Sequence, residues 1–197
     1  MKKLSTYLFL ILFTLQAPSW ADDITDFQIE GMSIGDSLLD LFSEEEIKNN
    51  LEFFYDNNKF ISFTSKHATF ETYDAVQFHF KSNDKKYIIH SMDGTLIYDN
   101  KINECHKEKD KIVKELTKLF GKKTTIEDLG TYSHSYDKSG KSKVSPVYFD
   151  FKDGSSFAVA CTDWSEELTK EKGFTDRLKV SMDSKDFNFF INNEAYK

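Results

Sequence analysis

A mixed α+β domain, an antiparallel sheet packed against one long amphipathic helix at about 101–120, follows from three features of the sequence. Apolar residues alternate with polar ones in several short runs bounded by turn residues. One stretch, 101–120, carries them at helical spacing instead. The chain is 39% hydrophobic and 30% charged, with 19 Phe and only 2 Pro, which supplies a core and leaves no proline-rich linker. A single domain over 22–197 is expected, with short helices near both ends.

Residues 1–21 read as an export signal. Lys2 and Lys3 give a positive start, Leu4 to Leu15 is apolar apart from Ser5, Thr6 and Thr14, and Ser19 and Ala21 are the small residues of a cleavage site. The apolar run is about a dozen residues, short of the ~20 that span a bilayer. With its first cysteine at Cys105, the chain has no residue at the cleavage site to take a lipid. The expected product is a periplasmic or secreted monomer without membrane insertion. Cleavage removes two lysines and no acid, taking the formal charge from −7 to −9. Lysine supplies all the positive charge except Arg177, whereas phosphate and base-edge recognition leans on arginine forks. Nucleic acid is therefore excluded as a partner, and the acidity disfavours anionic membranes.

Along the rest of the chain, Asp36 or Ser37 caps a short helix through Leu38 and Phe42. Ser43-Glu44-Glu45-Glu46 has capping-box spacing before a second short helix. Strands are expected at 59–64, 73–81, 86–92 and 95–98, turning at Asn83-Asp84 and Asp93-Gly94. In 101–120, Ile102, Cys105, Ile112, Val113, Leu116, Leu119 and Phe120 share one stripe, with Lys109 the charged intrusion, and Gly121 ends the helix. The polar stretch 130–145 reads as a surface loop. Val147, Phe149 and Phe151 then alternate against Phe157, Val159 and Cys161. A three-residue Lys152-Asp153-Gly154 loop pairs Phe149 with Phe157 and puts both apolar rows on one side. Trp164 and Leu168 suggest a short helix, 177–182 a strand, and Ser184 caps a last helix through Phe187, Phe190 and Ile191. A hairpin followed by a helix occurs twice, at 73–120 and 147–172, which allows a tandem repeat.

Two cysteines in an exported chain permit one intramolecular pairing. Cys105 lies on the helix stripe and Cys161 on the inward row of the second hairpin, so a Cys105–Cys161 disulfide is expected. It would close a loop of about 57 residues, worth on the order of 4 kcal/mol. His79 and His90 fall on one sheet face in the expected register, roughly 7 to 8 Å apart, but no third ligand presents itself and no metal or cofactor is assigned. Glycine-rich phosphate loops and the Gly-x-Ser-x-Gly elbow are missing from the sequence, so no catalytic residue is named. The polar loop alternates Tyr132, His134 and Tyr136 before Lys138, which reads as a contact surface of aromatic platforms and positive charge.

The start of the mature chain, Asp26-Phe27-Gln28-Ile29-Glu30-Gly31-Met32-Ser33-Ile34-Gly35-Asp36-Ser37-Leu38-Leu39-Asp40 running into Phe42-Ser43-Glu44-Glu45-Glu46-Ile47, resembles a family of small uncharacterised exported proteins of marine bacteria with AT-rich genomes. That resemblance implies export and a shared fold, and carries over no site. The expected role is a non-catalytic envelope accessory or binding module for a small ligand or envelope protein. The alternative is a periplasmic hydrolase whose residues converge only in the fold.

Overall fold

The computed structural model describes residues 23–196, so the expected signal segment 1–21 lies outside the described residues. Its nine strands are β1 (Leu51–Glu52), β2 (Phe60–Ser65), β3 (Ala75–Lys81), β4 (Ser91–Ile97), β5 (Thr124–Asp128), β6 (Tyr132–Ser133), β7 (Lys143–Phe151), β8 (Ser156–Asp163) and β9 (Arg177–Asp183). They form one antiparallel sheet in the order β1-β2-β3-β4-β9-β8-β7-β5, with β6 also on β7. Four α-helices accompany it: α1 (Glu44–Asn49), α2 (Ile102–Phe120), α3 (Glu166–Lys172) and α4 (Lys185–Asn193). The fold is α+β and mostly sheet.

Side-chain alternation sorts each strand into two faces. Phe78 and Phe80 of β3, Met92 and Leu96 of β4, Phe149 and Phe151 of β7, Phe157 and Val159 of β8, and Leu178 and Met182 of β9 share the first face and are buried. Helix α2 lies across β8 and β9 on this face and buries Cys105, Ile112, Leu116 and Phe120. Lys109 sits on the same stripe. Its aliphatic stem is buried and its Nζ donates to the Ser145 carbonyl at 3.3 Å, so the charged tip keeps a partner. The sulfurs of Cys105 and Cys161 are at bonding distance, with Cα atoms 6.1 Å apart, tying α2 to β8.

The segment before α1 covers the rest of the first face. Phe42 packs edge-on against Phe63 and Phe78, and Phe27 against Phe120 and Phe157. Full burial of one such ring is worth about 1.5–3 kcal/mol, so these residues close the core rather than decorate it.

The second hairpin has the three-residue loop: Phe149 faces Phe157, the Phe151 amide donates to the Ser155 carbonyl, and Gly154 takes φ 94°. The first meander differs from the expectation of two strands turning at Asp93-Gly94. Those two residues lie inside β4, which runs unbroken from Ser91 to Ile97. Gly94 serves a close approach instead of a turn, since a Cβ there would stand 2.6 Å from the Tyr73 ring. In consequence His79 faces Ser91, and residues 82–90 form the connection.

The repeated hairpin-helix order does not make a repeated unit. Helix α2 has 19 residues and is packed on the first face, whereas α3, the helix after the second hairpin, has seven residues and buries none of them; α4 then sits on the second face, where Phe187 and Phe190 meet Phe60 and Lys81 pairs with Asp186. Serine hydroxyls at Ser43, Ser165 and Ser184 accept an amide at the start of α1, α3 and α4.

Candidate functional site

The second face divides into a covered end and an open end. At the covered end α4 and Tyr55 lie over a polar cluster drawn from four strands. His79 Nδ1 is 2.8 Å from the Ser62 hydroxyl and its Nε2 is 3.8 Å from Asp93, which Lys179 Nζ reaches at 3.1 Å. Ser91 donates to Asp183 at 2.6 Å. The His79 ring packs on Phe187. Burial opposes ionisation of Asp93, yet Lys179 and His79 hold its carboxyl well below the usual carboxylate range. Burial and the neighbouring Asp93 charge push Asp183 the other way, up to about 6.

Ser62, His79 and Asp93 share the residue types of a nucleophile-base-acid relay. The sequence concealed them because each comes from a different strand. Ser62 is fully buried in mid-strand, with β1 on one side and β3 on the other. Its backbone environment is therefore a sheet ladder, without the amide pair at a helix or loop end that stabilises an oxyanion. The cluster is a satisfied polar core.

The open end is built from β6 to β9 and the loop that follows β6. Register places Tyr132, Val144, Thr162 and Arg177 in one row, Pro146, Ala160 and Lys179 in the next, and Tyr148, Ala158 and Ser181 in a third. Ala158 and Ala160 are the small residues of β8 between larger neighbours on either side. Tyr148 engages Tyr132 on one side, and burial together with that contact pushes its hydroxyl up to about 12. Arg177 and Lys179 line the other side.

The loop expected as a contact surface is tightly folded. Buried Asp137 accepts from the backbone amides and the hydroxyls of both Ser139 and Ser142. These bonds hold its carboxyl well below the usual range. His134 and Tyr136 are carried onto Trp164, which also meets Phe174, with the Arg177 guanidinium 5.7 Å from the indole. Burial, then Arg177 and Lys179, lowers the pKa of His134, which keeps its ring uncharged at neutral pH. Tyr132 and Tyr136 remain exposed at 42% and 54%, and Lys138 is also exposed.

Trp164 and Arg177 were not read as site residues from the sequence; the one available signal was that Arg177 is the sole arginine. Two buried donors here lack an acceptor, Trp164 Nε1 and Arg177 Nε. Among the described residues no group of three His, Cys, Asp or Glu is placed to hold a metal ion. His79 and His90 instead engage Ser62 and Ser184 separately. A surface depression of about 630 Å³ beside α4 is lined by Lys59, Lys81, Asp186, Asn188 and Asn192. Four of its charges pair among themselves, Lys59 with Glu194 and Lys81 with Asp186. No helix among the described residues is long and apolar enough to cross a membrane. No family model, curated protein or solved structure matches the chain.

Proposed function

We propose that this chain is an exported, disulfide-closed binding module that engages its ligand or envelope partner at the open end of the second sheet face. The observation that carries this reading is the aromatic platform of Trp164, His134 and Tyr136 around an arginine whose buried Nε has no acceptor among the described residues. Aromatic rings and arginine are the residue types that dominate binding energy at recognition surfaces. Export is supported by the basic-apolar-small pattern of residues 1–21 and by a cysteine pair at bonding distance. The resemblance of residues 26–47 to small exported proteins of marine bacteria fits the same address. The test is purification of wild-type, Tyr136→Ala and Ser62→Ala proteins from the producing cell's envelope under identical conditions, with bound species read by native mass spectrometry. A bound species retained by Ser62→Ala and lost from Tyr136→Ala is the expected result; equal retention in both variants overturns the site. N-terminal sequencing of the same material is expected to start at Asp22.

Hydrolysis is the second reading, favoured by one observation: Ser62, His79 and Asp93 converge. It ranks below binding because the Ser62 hydroxyl is sealed beneath α4. Release of p-nitrophenol from short-chain p-nitrophenyl esters by wild type, lost in Ser62→Ala with the fold intact by circular dichroism, would reverse that order.

A further inference from the structure

The proposed binding role leaves the ligand's chemistry open, and the charges at the open end narrow it. Arg177 is the only arginine in the chain and lies half-buried, yet it makes no ion pair and its Nε has no acceptor. Its neighbours are committed elsewhere. Asp176 accepts the Trp164 backbone amide at 2.9 Å, and Asp93 pairs with Lys179 at 3.1 Å. An unpaired, partly desolvated guanidinium is costly unless something answers its charge. Among the described residues only the Trp164 ring and the Asp93 carboxylate, already paired with Lys179, act on it.

We infer that Arg177 anchors the carboxylate of an organic acid whose apolar body lies along Ala160 and Ala158, between the Tyr132–Tyr148 wall and Lys179. The guanidinium presents a planar fork that matches a carboxylate in two parallel hydrogen bonds. The Trp164 ring, 5.7 Å from the guanidinium, flanks that fork on one side. Charge count selects the headgroup. Arg177 and Lys179 share the single Asp93 charge and His134 is neutral, so one positive charge is left over, which suits a monoanion better than a phosphate dianion. The small residues of β8 select the body: Ala158 and Ala160 lie between Tyr148 of β7 and Lys179 of β9, whose backbones are roughly 10 Å apart across two strand spacings. A strip of small apolar side chains suits an extended alkyl chain or a peptide backbone.

This inference rests on the binding reading and fails separately from it. Residues 1–197 contain two tryptophans, Trp20 and Trp164, so the full chain carrying Trp20→Phe has Trp164 as its sole indole, and fluorescence then reports on the site itself. The probes are octanoate, octanamide, trialanine with a free or an amidated C-terminus, and inorganic phosphate. Saturable change with octanoate, at least about tenfold weaker with octanamide, is the expected result if the acid is a free small molecule. The same discrimination between free and amidated trialanine is expected if the carboxylate belongs to a peptide end. In either case Arg177→Gln weakens binding at least about tenfold, and Arg177→Lys, which keeps charge and loses the fork, falls between. Equal response to acid and amide, unchanged affinity in Arg177→Gln, tighter binding of phosphate, or no saturable response to any carboxylate overturns the assignment. A protein that ignores every carboxylate while Tyr136→Ala still strips its native bound species keeps the binding role and loses only this ligand class.

Discussion

The two ends of the second sheet face hold the same kinds of residue and treat them oppositely. Under α4, the ionisable groups His79, Asp93 and Asp183 each have a partner, and aromatic rings from Tyr55 and Phe187 close over them. Beyond Ala158, aromatic rings gather again, but Arg177 and the Trp164 indole are left with donors that nothing accepts. Closure makes the first cluster a determinant of stability. The unanswered donors make the second a place for recognition. Because an unsatisfied buried donor costs roughly 1–3 kcal/mol, the open end gives up stability that a bound acceptor would restore.

The largest expected effect breaks the covered end. Phe190→Ala removes a fully buried ring lodged against Phe60 and Tyr55 and should cost about 3–5 kcal/mol in denaturant unfolding. The Trp164 environment should stay unchanged.

Next comes the pH dependence of the same end. Asp183 in the fold titrates at about 6, above its ordinary 3.8, so its protonated form is favoured by folding. Its contribution is fully present below the unfolded value and is lost as pH rises through the folded one. Stability should fall by roughly 2–4 kcal/mol between pH 4 and pH 7, and Asp183→Asn should flatten that slope. Opposing slopes from carboxylates remote from Asp183 would appear in both proteins and cancel in the comparison.

At the open end the sign reverses. The pKa of His134 is lowered in the fold, so its contribution holds above the unfolded value and is lost as pH falls through the folded one. Hydrogen exchange in residues 129–142 should therefore quicken between pH 7 and pH 5, after correction for intrinsic rates, while α4 does not follow. Asp137→Ala removes the hub of four loop hydrogen bonds and should open the same segment at every pH, at about 1–2 kcal/mol. The smallest change sharpens the contrast most. Arg177→Gln should shift unfolding by no more than about 1 kcal/mol, since a cation-π contact is lost and an unpaired charge is relieved. A loss of several kcal/mol would make Arg177 a structural residue.

Much of the fold was legible because it rests on local chemistry. The helix at 102–120 follows its own stripe, and the β7–β8 register follows from Gly154 and two alternating rows. Reading failed where a distant group decided the matter. Asp93-Gly94 has turn composition, but the glycine answers to Tyr73 pressing on β4, a contact that no local pattern encodes. Likewise Phe27 and Phe42 gave no sign that they roof the sheet, since residues 23–42 carry no sustained period. Of the site, the loop residues Tyr132, His134, Tyr136 and Lys138 were visible as an aromatic-basic alternation. Trp164 and Arg177, separated from the loop and from each other along the chain, were not.

The sequence by itself determined which residues alternate, where helices are capped, that only one cysteine pairing exists and that a single arginine is present, because each of these is local or a matter of counting. Tertiary structure alone decided that α2 and α4 take opposite faces, that Ser62, His79 and Asp93 meet beneath a lid, and that the Arg177 Nε is left without an acceptor among the described residues. Those outcomes depend on which side of a sheet a chain crosses and how far apart strands lie in space, quantities set by the summed packing of the whole core and by no short stretch of it.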